Sequence, residues 1–112
     1  MKIYHNPRCS KSRQTLQLLR DNGVDPQVVE YLNDVPSVDE LKDVLTKLSL
    51  KPEQILRKGE AIFKEEYKGK NLSDDEWIQA MIKNPKLIER PIVVKGNKAI
   101  LGRPPENVLE LI

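Results

Sequence analysis

The opening of the chain dictates a strand, a helix and a second strand, and few folds accommodate that order. Lys2-Ile3-Tyr4-His5 reads as a short strand, and Asn6-Pro7 breaks it because the residue before a proline is pushed out of the helical region. A helix opening near Ser10 turns Leu16, Leu19 and, at the margin, Leu18 inward. Asn22-Gly23 stops it, glycine being the usual residue just past a helix end. Gln27-Val28-Val29-Glu30-Tyr31 then reads as a second strand. A strand, a helix and a strand in succession imply a parallel βαβ unit with a right-handed crossover.

The middle of the chain is expected to be helical. Ser37-Val38-Asp39-Glu40 has the capping-box pattern, and Leu41, Val44, Leu45 and Leu48 follow at helical spacing. Pro52 is placed to open a shorter helix containing Ile55 and Leu56, and Glu60 to Tyr67 fit another turn or two. Ser73-Asp74-Asp75-Glu76 is a second capping box ahead of Trp77, Ala80 and Met81, with Asn84-Pro85 as the stop. The period then changes. Pro91–Lys95 and Lys98–Leu101 read as strands joined by Gly96-Asn97, a two-residue hairpin signal. Pro104-Pro105 can start a final helix through Val108, Leu109 and Ile112. The predicted fold class is α/β: β-α-β, a helical insertion over about residues 36–88, then β-β-α. That order is the thioredoxin-like topology with extra helices between its halves, in one domain over residues 1–112.

Composition removes several classes of function. With 38% hydrophobic and 32% charged residues, the chain has the balance of a water-soluble domain. No apolar run reaches the roughly 18 residues of a membrane helix, and Met1–Pro7 has no signal-like core, so no membrane partner or secretory signal is expected. A net charge of +2, scattered lysines and only five aromatic residues argue against nucleic acid. The single cysteine forbids an internal disulfide and suits a reducing cytoplasm, where a monomer is expected.

That cysteine carries the chemistry. A lone cysteine is by default a small buried hydrophobe, but Cys9 falls between a strand and a helix, where main-chain N–H groups and the helix dipole favour an anion. Arg8, Lys11 and Arg13 surround it and His5 lies four residues before it, each favouring thiolate over thiol. Such surroundings lower a cysteine pKa, and the thiolate is the nucleophile. Ser12 stands where a C-x-x-C motif would place its second cysteine, so an oxidised or adducted Cys9 must be resolved by a thiol from another molecule; glutathione or glutaredoxin is the cytosolic supply. Three arginines stand out by setting: Arg57 ends a short helix before Lys58-Gly59, Arg90 precedes Pro91, and Arg103 sits between Gly102 and Pro104. Guanidinium groups are permanently charged forks suited to a tetrahedral oxyanion. In a thioredoxin fold the proline that opens the third strand is commonly cis and faces the cysteine, which would bring Arg90 to the site.

The run His5-Asn6-Pro7-Arg8-Cys9-Ser10-Lys11-Ser12-Arg13 resembles the signature of the glutaredoxin-linked arsenate reductases. The resemblance continues through Ile55-Leu56-Arg57, Glu89-Arg90-Pro91-Ile92-Val93 and Leu101-Gly102-Arg103-Pro104-Pro105, in order and spacing, over nearly the whole chain. It implies that Cys9 is the nucleophile and that Arg57, Arg90 and Arg103 bind the oxyanion, with His5, Asn6, Ser12, Arg13 and Pro91 in support. It also implies arsenate as substrate, glutathione as co-substrate and glutaredoxin as partner, with no metal and no bound cofactor. The basic Arg8 and Lys11 and the short stretch after Arg103 look like a compact housekeeping branch of that family.

Three rivals meet particular residues. A cysteine phosphatase wants C-x5-R, whereas the sixth position after Cys9 is Thr15. A Spx-type transcription regulator that binds RNA polymerase without turnover often uses the C-x-x-C switch that Ser12 removes. A glutathione-linked mixed-disulfide oxidoreductase needs Cys9 but not all three arginines.

Overall fold

Four short strands and their pairing place every segment that matters for the site. The computed structural model describes Met1–Ile112, divided into two compact units, Met1–Asp34 with Arg90–Ile112, and Val35–Glu89. The first unit contains β1 (Lys2–His5), α1 (Ser10–Asp21), β2 (Gln27–Glu30), β3 (Ile92–Lys95) and β4 (Lys98–Leu101), closed by a 3₁₀ helix over Pro105–Leu111. The sheet order is β2-β1-β3-β4, with β1 and β2 parallel and the other pairs antiparallel. This is the expected thioredoxin-like arrangement. No helix is long and apolar enough to cross a membrane.

The core of this unit follows from helical and strand periodicity. α1 buries Ser12, Thr15, Leu16 and Leu19, a stripe at three- and four-residue spacing. Its lower half meets Ile3 of β1 and Val93 of β3, which are register partners, together with Val108 and Leu111. Its upper half carries hydroxyls instead, and that half faces the cysteine loop. The glycine–asparagine hairpin forms as expected, with Gly96 at φ 58°, a left-handed conformation that glycine adopts without strain.

Small departures from the sequence reading have physical causes. β2 ends at Glu30 and not Tyr31, and β3 begins at Ile92 after Pro91, whose ring nitrogen has no hydrogen to give to a ladder. The last element is 3₁₀ and not α: Pro105, Val108 and Leu111 are buried at three-residue spacing, the period that lines one face at three residues per turn. Leu109 and Ile112 are consequently exposed.

The second unit holds α2 (Val38–Leu48), α3 (Ala61–Glu66), α4 (Asp74–Lys83) and two 3₁₀ turns, Pro52–Ile55 and Pro85–Leu87. Arg57 therefore lies beyond its short helix, which stops at Ile55, two residues earlier than the sequence suggests. Trp77 is core, as expected, flanked by the rings of Phe63 and Tyr67 at 6.2 and 6.0 Å. Lys64-Glu65-Glu66 and Lys68-Gly69-Lys70 form a solvated face. Both predicted caps bond: Ser37 Oγ accepts from the Glu40 N–H at 3.1 Å, and Ser73 and Glu76 complete a reciprocal box. Replacing Ser73 with alanine removes the acceptor for Glu76 N–H and is expected to cost about 1 kcal/mol. Urea unfolding measures it, and an unchanged midpoint would show that the cap contributes nothing.

Candidate active site

Register alone delivers several distant segments to one end of the sheet. His5 pairs with Glu30, Tyr4 with Ile92, and Ile92 with Leu101, so the ends of β1, β2 and β4 and the start of β3 lie together. The chain beyond those ends carries Cys9, Tyr31, Arg90, Pro91, Gly102 and Arg103.

The loop from His5 to Cys9 is a built turn. The Cys9 N–H donates to the Asn6 carbonyl at 3.0 Å, and the Arg8 N–H donates to Asn6 Oδ1 at 3.0 Å. Arg13 Nη1 donates to the Pro7 carbonyl at 2.9 Å, so this arginine braces the loop. Ser12 is fully buried; its Oγ accepts from the Asn6 N–H at 3.0 Å and lies 2.6 Å from His5 Nδ1. His5, Asn6 and Ser12 thus form one buried polar unit beneath Cys9. The charged form of His5 is disfavoured there. Burial pushes its imidazole below the ordinary value, Arg20 and Arg13 push the same way, and Glu30 opposes them.

Cys9 occupies the N-cap of α1, with extended backbone, and its carbonyl accepts from the Arg13 N–H at 3.0 Å. Serine, threonine, aspartate or asparagine usually stands there, giving a side-chain oxygen to the second or third N–H of the helix. Here a cysteine stands instead, and no acidic residue lies in the first turn beside its sulfur. Partial burial raises the thiol pKa, but the N–H of Ser12, the Arg90 guanidinium and the N–H of Lys11 outweigh it, and the thiol ends below its ordinary value. Lys11 acts through its main chain, and neither Arg8 nor Arg13 is among the causes.

Arg90 is the cation at the sulfur. Its guanidinium hydrogen-bonds Cys9 and also Tyr31; burial lowers its pKa, and the two partners raise it overall. The Arg90–Pro91 and Arg103–Pro104 peptide bonds are both cis. Arg103 is exposed and donates from Nη1 to the Arg90 carbonyl at 3.0 Å, joining two of the three arginines marked in the sequence. Arg57 belongs to the helical unit, where Glu60 and Glu89 accept from its guanidinium at 3.3 and 3.2 Å. A cavity of about 330 Å³ opens beside the loop, lined by His5, Asn6, Arg8, Glu30 and Asn33 among others. No group of three or more His, Cys, Asp and Glu side chains is arranged to hold a metal ion.

Two participants had no local signal. Tyr31 read only as the end of a strand, yet it is 1% exposed and bonded to Arg90. Gly102 reads in the sequence only as a neighbour of Arg103, yet it lies against Thr15 and Pro91 with no room for a side chain. The glycine between a strand and Arg103 was the one available hint.

Relatives share both the sequence and the fold. The Escherichia coli (strain K12) protein YfgD, described as uncharacterized, is 51% identical, the match covering all of this chain and 96% of that one. A Neisseria meningitidis serogroup A protein described as arsenate reductase is 44% identical over 96% of this chain and 94% of its own. A solved structure described as arsenate reductase from Vibrio cholerae superposes with a TM-score of 0.95 at 51% identity, covering 99% of this chain and 96% of that one. The ArsC family signature matches residues 4–111, nearly end to end, and the chain belongs to the ArsC family.

Proposed function

We propose that this protein reduces arsenate to arsenite, with Cys9 as nucleophile and thiols as the source of electrons. The observation that carries the reading is the Cys9 sulfur at the N-terminus of α1, favoured as thiolate by two main-chain N–H groups and the Arg90 guanidinium. The same donors suit a tetrahedral oxyanion approaching that sulfur. Arg90 and Arg103 would bind its oxygens; the family resemblance gives Arg57 the same role, and in its own unit Glu60 and Glu89 engage two nitrogens of that guanidinium. The relatives described as arsenate reductases support arsenate as the oxyanion.

Cys9 thiolate displaces one oxygen of arsenate as water and forms a sulfur–arsenic(V) bond. Glutathione displaces a second oxygen and forms another. The glutaredoxin thiolate then attacks the glutathione sulfur, leaving with it as a mixed disulfide while the electron pair of that sulfur–arsenic bond stays on arsenic, now +3. Hydrolysis of the remaining bond releases arsenite and restores Cys9. The external resolving thiol follows from Ser12, which cannot close a disulfide with Cys9.

Arsenate-dependent NADPH consumption, coupled through glutathione, glutaredoxin and glutathione reductase, tests the reading. Turnover is expected with the full system and is expected to stop when glutaredoxin is omitted. No arsenate-dependent consumption with any thiol supply would remove arsenate as the substrate. Turnover indifferent to glutaredoxin would keep the reductase and reassign its partner.

A further inference from the structure

Tyr31 is one of the most deeply buried side chains, 1% exposed, at a position where the sequence offers only the end of an edge strand. A buried tyrosine needs a partner for its hydroxyl. The register explains what it finds. Tyr31 leaves β2 at the end of the sheet where Arg90 enters β3, with the cysteine loop of β1 between those strands. The Arg90 guanidinium hydrogen-bonds both the Tyr31 side chain and the Cys9 sulfur. Guanidinium has donors only, so the phenol oxygen accepts.

We propose that Tyr31 is a positioning residue for the active site: its buried oxygen holds the Arg90 guanidinium in the orientation that faces the Cys9 sulfur. An arginine side chain loses much rotamer freedom when it is held in one place, and a rigid acceptor on a strand end keeps it there before any substrate arrives. The Arg90 main chain is held separately, by Arg103 Nη1 on its carbonyl, so that contact does not fix the head group. The other groups of this unit around Cys9 act independently of Tyr31. Lys11 and Ser12 act through their N–H groups, burial holds the His5 imidazole below its ordinary value, Arg13 is engaged by the Pro7 carbonyl, and Arg8 is exposed. The inference rests on Cys9 being the nucleophile and not on which oxyanion it attacks.

The test needs no arsenate. Cys9 is the only cysteine, so the rate of alkylation by iodoacetamide against pH reports its thiolate alone. In Tyr31→Phe the midpoint is expected to rise by about half to one pH unit, which is three- to tenfold less thiolate at a pH below both midpoints. Arg90→Ala is expected to raise it further, and adding Tyr31→Phe to Arg90→Ala to raise it no more. A midpoint unchanged in Tyr31→Phe, or an equal rise in the Arg90→Ala background, would overturn the proposal. A tyrosine that merely fills the core moves the melting temperature and leaves the midpoint where it was. Should Tyr31→Phe fail to fold, nitrogen-15 resonances of the Arg90 guanidinium in the unaltered protein decide the matter. Restricted rotation of its terminal amino groups is expected, and free rotation overturns it. Absence of arsenate turnover would leave these outcomes standing and strike only the substrate.

Discussion

Replacing Cys9 with serine is expected to abolish arsenate turnover, and replacing Arg90 with alanine to lower it by about two to three orders of magnitude. The two effects differ in kind. Serine keeps the cap geometry of α1, so the helix stays formed while the nucleophile is lost, because a serine hydroxyl is far less acidic than a thiol held below its ordinary value. Alanine at position 90 removes the one cation that hydrogen-bonds the sulfur and, in the proposed mechanism, a donor to the oxyanion. Its alkylation midpoint should therefore rise while some thiolate persists, since the N–H groups of Ser12 and Lys11 remain. Stability should respond with a definite sign. The folded thiol titrates below the unfolded one, so ionisation of Cys9 adds stability as pH climbs between the two values. That stability is fully present above the unfolded value and lost as pH falls through the folded one. In Cys9→Ser this segment of the stability–pH curve should flatten. Kinetics in the coupled assay and urea unfolding across pH measure both effects. Turnover retained in Cys9→Ser would remove Cys9 as the nucleophile, and an alkylation midpoint unmoved in Arg90→Ala would remove Arg90 as the cation at the sulfur.

What could be read from the sequence was whatever a local signal decides. Pro7 ends β1, Gly23 at φ 79° follows α1, Ser73 and Glu76 cap α4, and Gly96-Asn97 turns the hairpin, each acting on neighbours within a few residues. Cys9 was visible for the same reason, because a strand before it and a helix after it fix its surroundings. The cations around it were only half visible. Adjacency suggested Arg8, Lys11 and Arg13, but neighbours on a loop point to different places, and the cation at the sulfur is Arg90, brought there by strand register. Tyr31 was hidden because burial of a residue just beyond an edge strand depends on what packs over it. The setting of His5 was hidden too, since burial, which lowers its pKa against the pull of Glu30, cannot be read from neighbours in the chain. Arg57 was marked as a helix end, and its actual partners, Glu60 and Glu89, are respectively three and 32 positions away. Only the first of those distances lies within reach of a sequence pattern.

Gly102→Ala is expected to destabilise the fold by about 1–3 kcal/mol, a large fraction of the stability of a small domain. The reason is space, not backbone freedom. A methyl group there would lie 2.6 Å from Thr15 Oγ1, 2.8 Å from Pro91 Cγ and 3.0 Å from Thr15 Cγ2. None of these atoms is the free end of a flexible chain. Thr15 is fully buried, and its hydroxyl donates to the Lys11 carbonyl at 2.8 Å, fixing its rotamer. Pro91 is a buried ring, and its carbonyl accepts from the Gly102 N–H at 2.9 Å, so the two backbones cannot separate without losing that bond. Relief must come from moving α1 away from the start of β3, which is the distance that sets Cys9 against Arg90. Gly102→Ala should therefore lower the urea midpoint and also raise the Cys9 alkylation midpoint. Thr15→Ala removes two of the three close contacts. Combined with Gly102→Ala, it should cost less than the sum of the two single changes, because the threonine atoms that obstruct the new methyl are gone. A Gly102→Ala protein as stable as the original, or strict additivity in the double variant, would mean that the close approach of α1, β3 and Gly102 does not hold the site together.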